Sequence, residues 1–209
     1  MTAQPLLETR GVSKRFGAVQ ALKKVDFDVY PGEVIALVGD NGAGKSTLVK
    51  GIAGIYNFDE GEILFDGKPV HIHQPREASR LGIEVVYQDL ALADNLDVVA
   101  NMFLGRERNQ GIPESTDDDA DRQVNPIVRF FRNLLPMNEV VMEKQAVKTL
   151  DELSVTTLQS VRLPVASLSG GQRQSVAIAK AVLWDSRVVI LDEPTAALGV
   201  AQTRQVLDL

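Results

Sequence analysis

The stretch Gly39-Asp40-Asn41-Gly42-Ala43-Gly44-Lys45-Ser46-Thr47 fits G-x-x-x-x-G-K-[ST], the pattern of a phosphate-binding loop. Gly39, Gly42 and Gly44 permit a tight turn in which successive backbone N–H groups, with Asn41 and Ala43 completing the cradle, point at phosphate oxygens. A helix opening at Lys45 adds a partial positive charge of about +0.5. Lys45 supplies a full charge for β and γ phosphates, and the hydroxyl of Ser46, followed by Thr47, can ligate Mg²⁺. The bland alternative is a glycine-rich turn that merely caps a helix. A chance match in a chain of this length is roughly one in a hundred. The sequence context, an apolar run before the loop and a helical stretch after it, favours a site for a nucleoside triphosphate.

A second candidate is Val188-Val189-Ile190-Leu191-Asp192-Glu193, an apolar run ending in two acids, the Walker B pattern. Asp192 at such a strand end can hold Mg²⁺, and Glu193 is placed to polarise an attacking water. Alone the pattern is weak, because strands commonly end in turn-forming acids. Beside a phosphate loop it gains meaning.

These groups need elements to hold them. Val25, Phe27 and Val29 alternate with Asp26, Asp28 and Tyr30, the period of a half-buried strand, and Pro31-Gly32 breaks it. Val34 to Val38 is continuously apolar, the signature of a buried parallel strand. Residues 61–70 form a hairpin around Asp66-Gly67, a dipeptide suited to a type I′ turn. A short helix over 75–81 precedes a strand over 83–87. From residue 95 to 163 the pattern is mostly helical, interrupted by an acidic, loop-like stretch over 113–121. Ile127, Val128, Phe130, Phe131, Leu134 and Leu135 could line a helix face, where plain core packing is the ordinary role. A helix over 169–184 and a second buried strand over 188–191 follow.

Composition sets bounds. The 209 residues carry a net charge of −6, against a surface that binds nucleic acid throughout. No cysteine is present, so disulfides and thiolate metal sites are excluded, in keeping with a reducing compartment. The N-terminus lacks the basic and apolar regions of a signal peptide. No stretch approaches the ~18 apolar residues of a membrane span, so any membrane role is expected to run through a partner.

Leu168-Ser169-Gly170-Gly171-Gln172, just before Walker B, decides among phosphate-loop proteins. Its chance occurrence is on the order of a few in ten thousand. Helix capping explains Ser169 and the glycines but not the whole string. The string resembles the signature motif of ABC ATPases, and the similarity runs from Leu6 to Leu207. Tyr87-Gln88-Asp89-Leu90-Ala91-Leu92, Asn101-Met102-Phe103-Leu104-Gly105 and Pro194-Thr195-Ala196-Ala197-Leu198-Gly199 resemble, more narrowly, the ATPases of bacterial monosaccharide importers. The resemblance implies an α/β P-loop NTPase (RecA-like) core with an N-terminal antiparallel β subdomain and an α-helical signature subdomain. Residues 1–88 and 188–209 would form the core and β subdomain, and 89–187 the helical one.

By the same resemblance, ATP and Mg²⁺ are the ligands. Phe16 stacks on adenine, and Gln88 of the Q-loop, with Ser46 and Asp192, senses the metal and the catalytic water. Ser169, Gly170, Gly171 and Gln172 cap ATP held by a second nucleotide-binding domain, in a homodimer or a tandem chain. The implied setting is the cytoplasmic face of the membrane, peripheral, on transmembrane permease subunits fed by a periplasmic or extracellular sugar-binding protein, with no nucleic acid partner.

Two departures stand out. The D-loop position usually held by Asp is Gly199, which removes a side chain from cross-dimer contact. The only histidines, His71 and His73, precede the Q-loop, and neither is the family's switch histidine. They read as surface residues. The expectation is therefore an incomplete domain lacking its last strands, with little turnover alone. The competing readings are a soluble ABC protein acting on nucleic acid or ribosomes, and a nucleotide-gated module that does not hydrolyse. A small GTPase fits poorly, because no Asn-Lys-x-Asp string occurs.

Overall fold

The computed structural model describes residues 4–87, 89–109, 136–184 and 186–194. They fall into two compact units: one holds the residues up to Val85 plus Ser186–Asp192, the other the remainder.

The first unit is built on a four-stranded antiparallel sheet. Its strands are β1 (Leu7–Phe16), β2 (Val19–Val29), β3 (Glu60–Phe65) and β4 (Lys68–Val70), in the order β2-β1-β3-β4. Leu7 faces Val29 on one side and Phe65 on the other, which puts one apolar row in register across three strands. The alternation read from β2 holds: Leu22 is buried, Val25, Phe27 and Val29 are half-buried, and Asp26 and Asp28 point outward. A bulge interrupts β1 between Thr9 and Val12, where Gly11 takes a left-handed backbone and donates its N–H to Asp26 Oδ1 at 2.6 Å. Asp66 and Gly67 both have positive φ, so the 61–70 hairpin turns as its dipeptide requires.

Helix α1 (Lys45–Ile52) lays Leu48 and Ile52 into the core formed by Leu7, Val12, Ile63, Phe65 and Ile83. Helix α2 (Pro75–Arg80) adds Ala78, and β5 (Ile83–Val86) pairs with β6 (Val188–Leu191) in a two-stranded sheet.

The sequence expectation fails most clearly over residues 34–38. Residues 34–38 are not a buried strand: they have no ladder partner among the described residues, and Val34 is 99% and Val38 83% exposed. A continuous apolar run codes for strands on both sides and layers on both faces. Among the described residues no strand lies alongside this one, so the pattern states a burial that these residues do not provide. The second run expected to be buried, β6, is covered only in part: Val188 is buried, while Val189 and Leu191 are partly exposed.

The second unit is helical. Helices α3 (Val98–Phe103), α4 (Glu139–Glu152) and α5 (Gly170–Val182) pack around Val98, Met102, Phe103, Met142, Ala146, Leu150, Val165 and Val176. Side-chain caps start all three: Asp97 accepts from the N–H of Ala100, Asn138 from that of Val141, and Ser169 from that of Gln172. Trp184 closes one end of the core, edge-on to Phe103 with centroids 5.5 Å apart and under the guanidinium of Arg108. The residues from Ile127 to Leu135 expected to line a helix lie outside the described residues.

Candidate nucleotide site

The phosphate-binding stretch folds as its glycines demand. Gly39, Gly42 and Gly44 have φ of 154°, 86° and 91°, backbone that a side chain would strain. Gly44 is also the N-cap of α1, and β2 runs directly behind it. A Cβ added there would stand 2.6 Å from the carbonyl oxygen of Ala21 and 2.8 Å from Leu22 Cδ2. Glycine is therefore required at position 44 twice over, by conformation and by space.

The start of α1 carries neither a side-chain cap nor an acidic residue in its first turn, so its positive end is not neutralised from within the helix. Ser46 is exposed there and Thr47 half-exposed. Lys45 bends back over the loop and donates from Nζ to the carbonyls of Gly39 at 2.7 Å and Asp40 at 2.9 Å. The loop itself closes through the N–H of Ala43 on the carbonyl of Asp40 at 3.1 Å, while Asn41 stays exposed. The ammonium is thus held by two backbone carbonyls on a solvent-exposed loop that leads into a helix start, a charged position suited to the oxygens of a polyphosphate. The exposed hydroxyl of Ser46 and the half-exposed carboxylate of Asp192 are hard oxygen donors of the kind Mg²⁺ takes.

Phe16 ends β1 and is 41% exposed, an aromatic ring at the surface rather than in the core. Tyr56 meets it edge-on, with centroids 5.1 Å apart and planes at 73°, and Lys14 Nζ lies 5.7 Å from its centroid. Asp192 follows β6, and Glu193 after it is exposed with φ of 51°, a left-handed turn that redirects the chain. Gln88 and Gly199 lie outside the described residues.

In the second unit, Ser169 is the N-cap of α5. Its hydroxyl accepts from the N–H of Gln172 at 3.3 Å, and Gln172 Oε1 accepts from the N–H of Ser169 at 2.9 Å, a complete capping box. Gln172 Nε2 also donates to the carbonyl of Thr157 at 2.7 Å. Gly170 and Gly171 thus open a helix whose first turn has no acidic residue.

Sequence reasoning missed the residues that brace these elements. Tyr56 and Asp59 near Phe16 are two. Asn101 is another: fully buried, its amide donates to the carbonyls of Ala93, Leu96 and Asp97 and accepts from the N–H of Ala93. A buried amide making four bonds to one loop leaves no periodic trace in a sequence. His71 and His73 are exposed with nearly parallel rings, centroids 6.2 Å apart, and no cluster of three potential metal ligands exists among the described residues.

A glycine loop opening a helix on an α/β core defines a P-loop NTPase, and comparison with known proteins narrows the class. The sequence pattern described as "ABC transporter" matches residues 22–196. The fructose import ATP-binding protein FrcA of Rhizobium meliloti is 49% identical over all of this chain and 74% of its own length. The xylose/arabinose import ATP-binding protein XylG of Sulfolobus acidocaldarius is 43% identical over 98% of this chain and 72% of its own. Against the ribose import ATP-binding protein RbsA 2 of Escherichia coli O157:H7, identity is 41% over all of this chain but only 36% of the relative's length. An ABC-transporter ATP-binding cassette solved in its ADP conformation superposes with a TM-score of 0.73 at 27% identity, covering 99% of this chain and 75% of the cassette. A nucleotide-free cassette gives 0.74 at 26% identity, over 98% and 75%. The chain belongs to the ABC transporter family. No helix among the described residues is long and apolar enough to cross a membrane.

Proposed function

We propose that this protein binds and hydrolyses Mg-ATP to drive sugar import through membrane permease subunits, working as a peripheral protein at the cytoplasmic face. The observation that carries the reading is the loop at residues 39–47: three glycines at positive φ, a helix start without an acid, and a lysine poised over the loop. The substrate class comes from relatives named for import of fructose, xylose or arabinose, and ribose.

In this reading Lys45 exchanges its two carbonyl acceptors for β and γ phosphate oxygens, and Phe16 stacks on the base. Ser46, Asp192 and Gln88 would hold Mg²⁺, which would neutralise phosphate charge. Glu193 orients a water in line with the γ-phosphorus; as the new P–O bond forms, the bond to the leaving ADP oxygen breaks. Little covalent chemistry falls to the protein, so positioning and charge neutralisation dominate. A second nucleotide-binding domain lays its own Ser169, Gly170, Gly171 and Gln172 over this nucleotide. Closing and reopening of the pair moves the permease between its two facing states. A sugar-binding protein on the far side delivers the solute.

The test is uptake of labelled fructose, xylose and ribose by membrane vesicles carrying the co-expressed permease and this ATPase. ATP-dependent uptake of one of them, abolished by Glu193→Gln, is the expected result. Uptake of any of them that ignores both ATP and Glu193 would contradict the reading.

A further inference from the structure

The loop that follows α1 ties the phosphate-binding helix to the aromatic ring at the end of β1. At one end the N–H groups of Ile55 and Tyr56 both donate to the carbonyl of Lys50, in the last turn of α1, at 2.9 and 3.2 Å. The ring of Phe58 packs on Gly51 so closely that a side chain at position 51 would collide with it. At the other end Asp59 bonds to β1 three times. Its N–H donates to the carbonyl of Ser13 at 2.8 Å, Oδ1 accepts from Lys14 Nζ at 2.8 Å, and Oδ2 accepts from the backbone N–H of Arg15 at 2.7 Å. Phe16 is the next residue. Tyr56 meets its ring edge-on, and Lys14, held by Asp59, lies over it.

Each contact fixes a degree of freedom that an exposed aromatic at a strand end would otherwise keep. The Arg15 bond sets the backbone just before Phe16, the Tyr56 edge limits its ring rotation, and the Lys14 ammonium occupies one approach to its π-system. What remains is 41% exposed and rigidly placed relative to α1.

We propose that Tyr56 and Asp59 are positioning residues for the nucleotide base: they hold Phe16 at a fixed offset from the phosphate loop, so that one nucleotide can engage both. This rests on the reading of Phe16 as the base platform. It accounts for a loop that contacts α1 at Lys50 and Gly51 and β1 at Ser13, Lys14 and Arg15, where a solvated connection between helix and strand would need none of these bonds.

The experiment compares binding of Mg-ATP and of magnesium tripolyphosphate, which offers phosphates without a base, by titration calorimetry. The proteins are the wild type, Phe16→Leu, Tyr56→Leu, Tyr56→Phe and Asp59→Asn. Loss of an aromatic edge contact or of a charged hydrogen bond predicts about three- to tenfold weaker ATP binding for Tyr56→Leu and Asp59→Asn. Their tripolyphosphate affinity stays at the wild-type value, and Tyr56→Phe, which keeps the ring edge, matches wild type for both ligands. If Phe16→Leu weakens ATP while Tyr56→Leu and Asp59→Asn do not, the positioning role is overturned and the base platform stands. An unchanged ATP affinity in Phe16→Leu overturns the platform and the positioning role with it. Equal losses for ATP and tripolyphosphate would show that the loop merely supports α1, which also overturns the proposal. Asp59 is exposed, so its amide variant keeps the test open should Tyr56→Leu fold poorly.

Discussion

Lys45 donates to the carbonyl of Gly39 at 2.7 Å, from one end of the phosphate-binding stretch to the other. With the second bond to Asp40, the ammonium holds the loop's two opening carbonyls and keeps the ring closed without a ligand. In the proposed reading a polyphosphate would replace these neutral carbonyl acceptors by charged oxygens, a stronger pairing for the same donor, and the lysine would be the part that exchanges.

Gly44 carries the tightest geometric demand in the site. With φ of 91° and the Ala21 carbonyl 2.6 Å from where a Cβ would sit, Gly44→Ala should lower stability by ~2 kcal/mol and remove Mg-ATP binding. Urea unfolding measures the first effect and calorimetry the second. Gly42→Ala, which meets nothing within 4 Å, should cost only the strain of its φ.

At α5 the capping box separates stability from function. Ser169→Ala should destabilise by ~1 kcal/mol and Ser169→Gly by only a few tenths. Both variants should keep Mg-ATP binding on their own phosphate loop and lose hydrolysis, since the proposed contact is made on the opposite nucleotide. Thermal unfolding and phosphate release report the two effects independently.

Much of the local structure was legible because local rules governed it. Alternation in β2, the Asp66-Gly67 turn, the helix start at Ser169 and the turn of the glycine loop each depend on residues close in sequence. What resisted reading was non-local. Residues 34–38 carry the pattern of a strand buried between neighbours, yet pattern alone could not state that the described residues leave them uncovered. Asp59 reaches across 44 residues to Arg15, and Tyr56 touches Phe16 only because β1 and the loop after α1 converge. Asn101 looked like one letter in a family string, and its four loop bonds appear only in three dimensions.

Asn101 should prove one of the more sensitive polar positions in the helical unit. Asn101→Ala leaves the N–H of Ala93 without its acceptor, while the carbonyls of Ala93, Leu96 and Asp97 keep the N–H groups of Leu96, Val165 and Asn101; the loss should be ~1–3 kcal/mol, measurable by urea unfolding. Asn101→Asp should be no milder, because its carboxylate would face those carbonyls.

Two carboxylates give the protein part of its acid sensitivity. Asp59 is held below the usual carboxylate range, first by the hydrogen bond from Lys14 and then by the N–H of Arg15. Glu77 is held down by the N–H of His73 and the side chain of Gln74. A carboxylate with a depressed folded-state pKa stabilises the fold above its unfolded value of ~4, and that contribution disappears as pH falls through the folded value. Urea midpoints should therefore drop from pH 5 to pH 3, and Asp59→Asn should flatten that drop while leaving the slope between pH 6 and pH 8 unchanged.

The central claim, that residues 39–47 bind Mg-ATP, is tested most directly by thermal unfolding of the protein with and without Mg-ATP, beside Lys45→Ala. A ligand at about one hundred times its dissociation constant stabilises the folded state by ~2.7 kcal/mol, which raises the melting temperature by several degrees for a protein of this size. The account predicts that shift in the wild type and its loss in Lys45→Ala, with the unliganded melting temperatures nearly equal. A wild type that unfolds cooperatively at the same temperature with and without Mg-ATP, or a shift that survives Lys45→Ala in full, would contradict it.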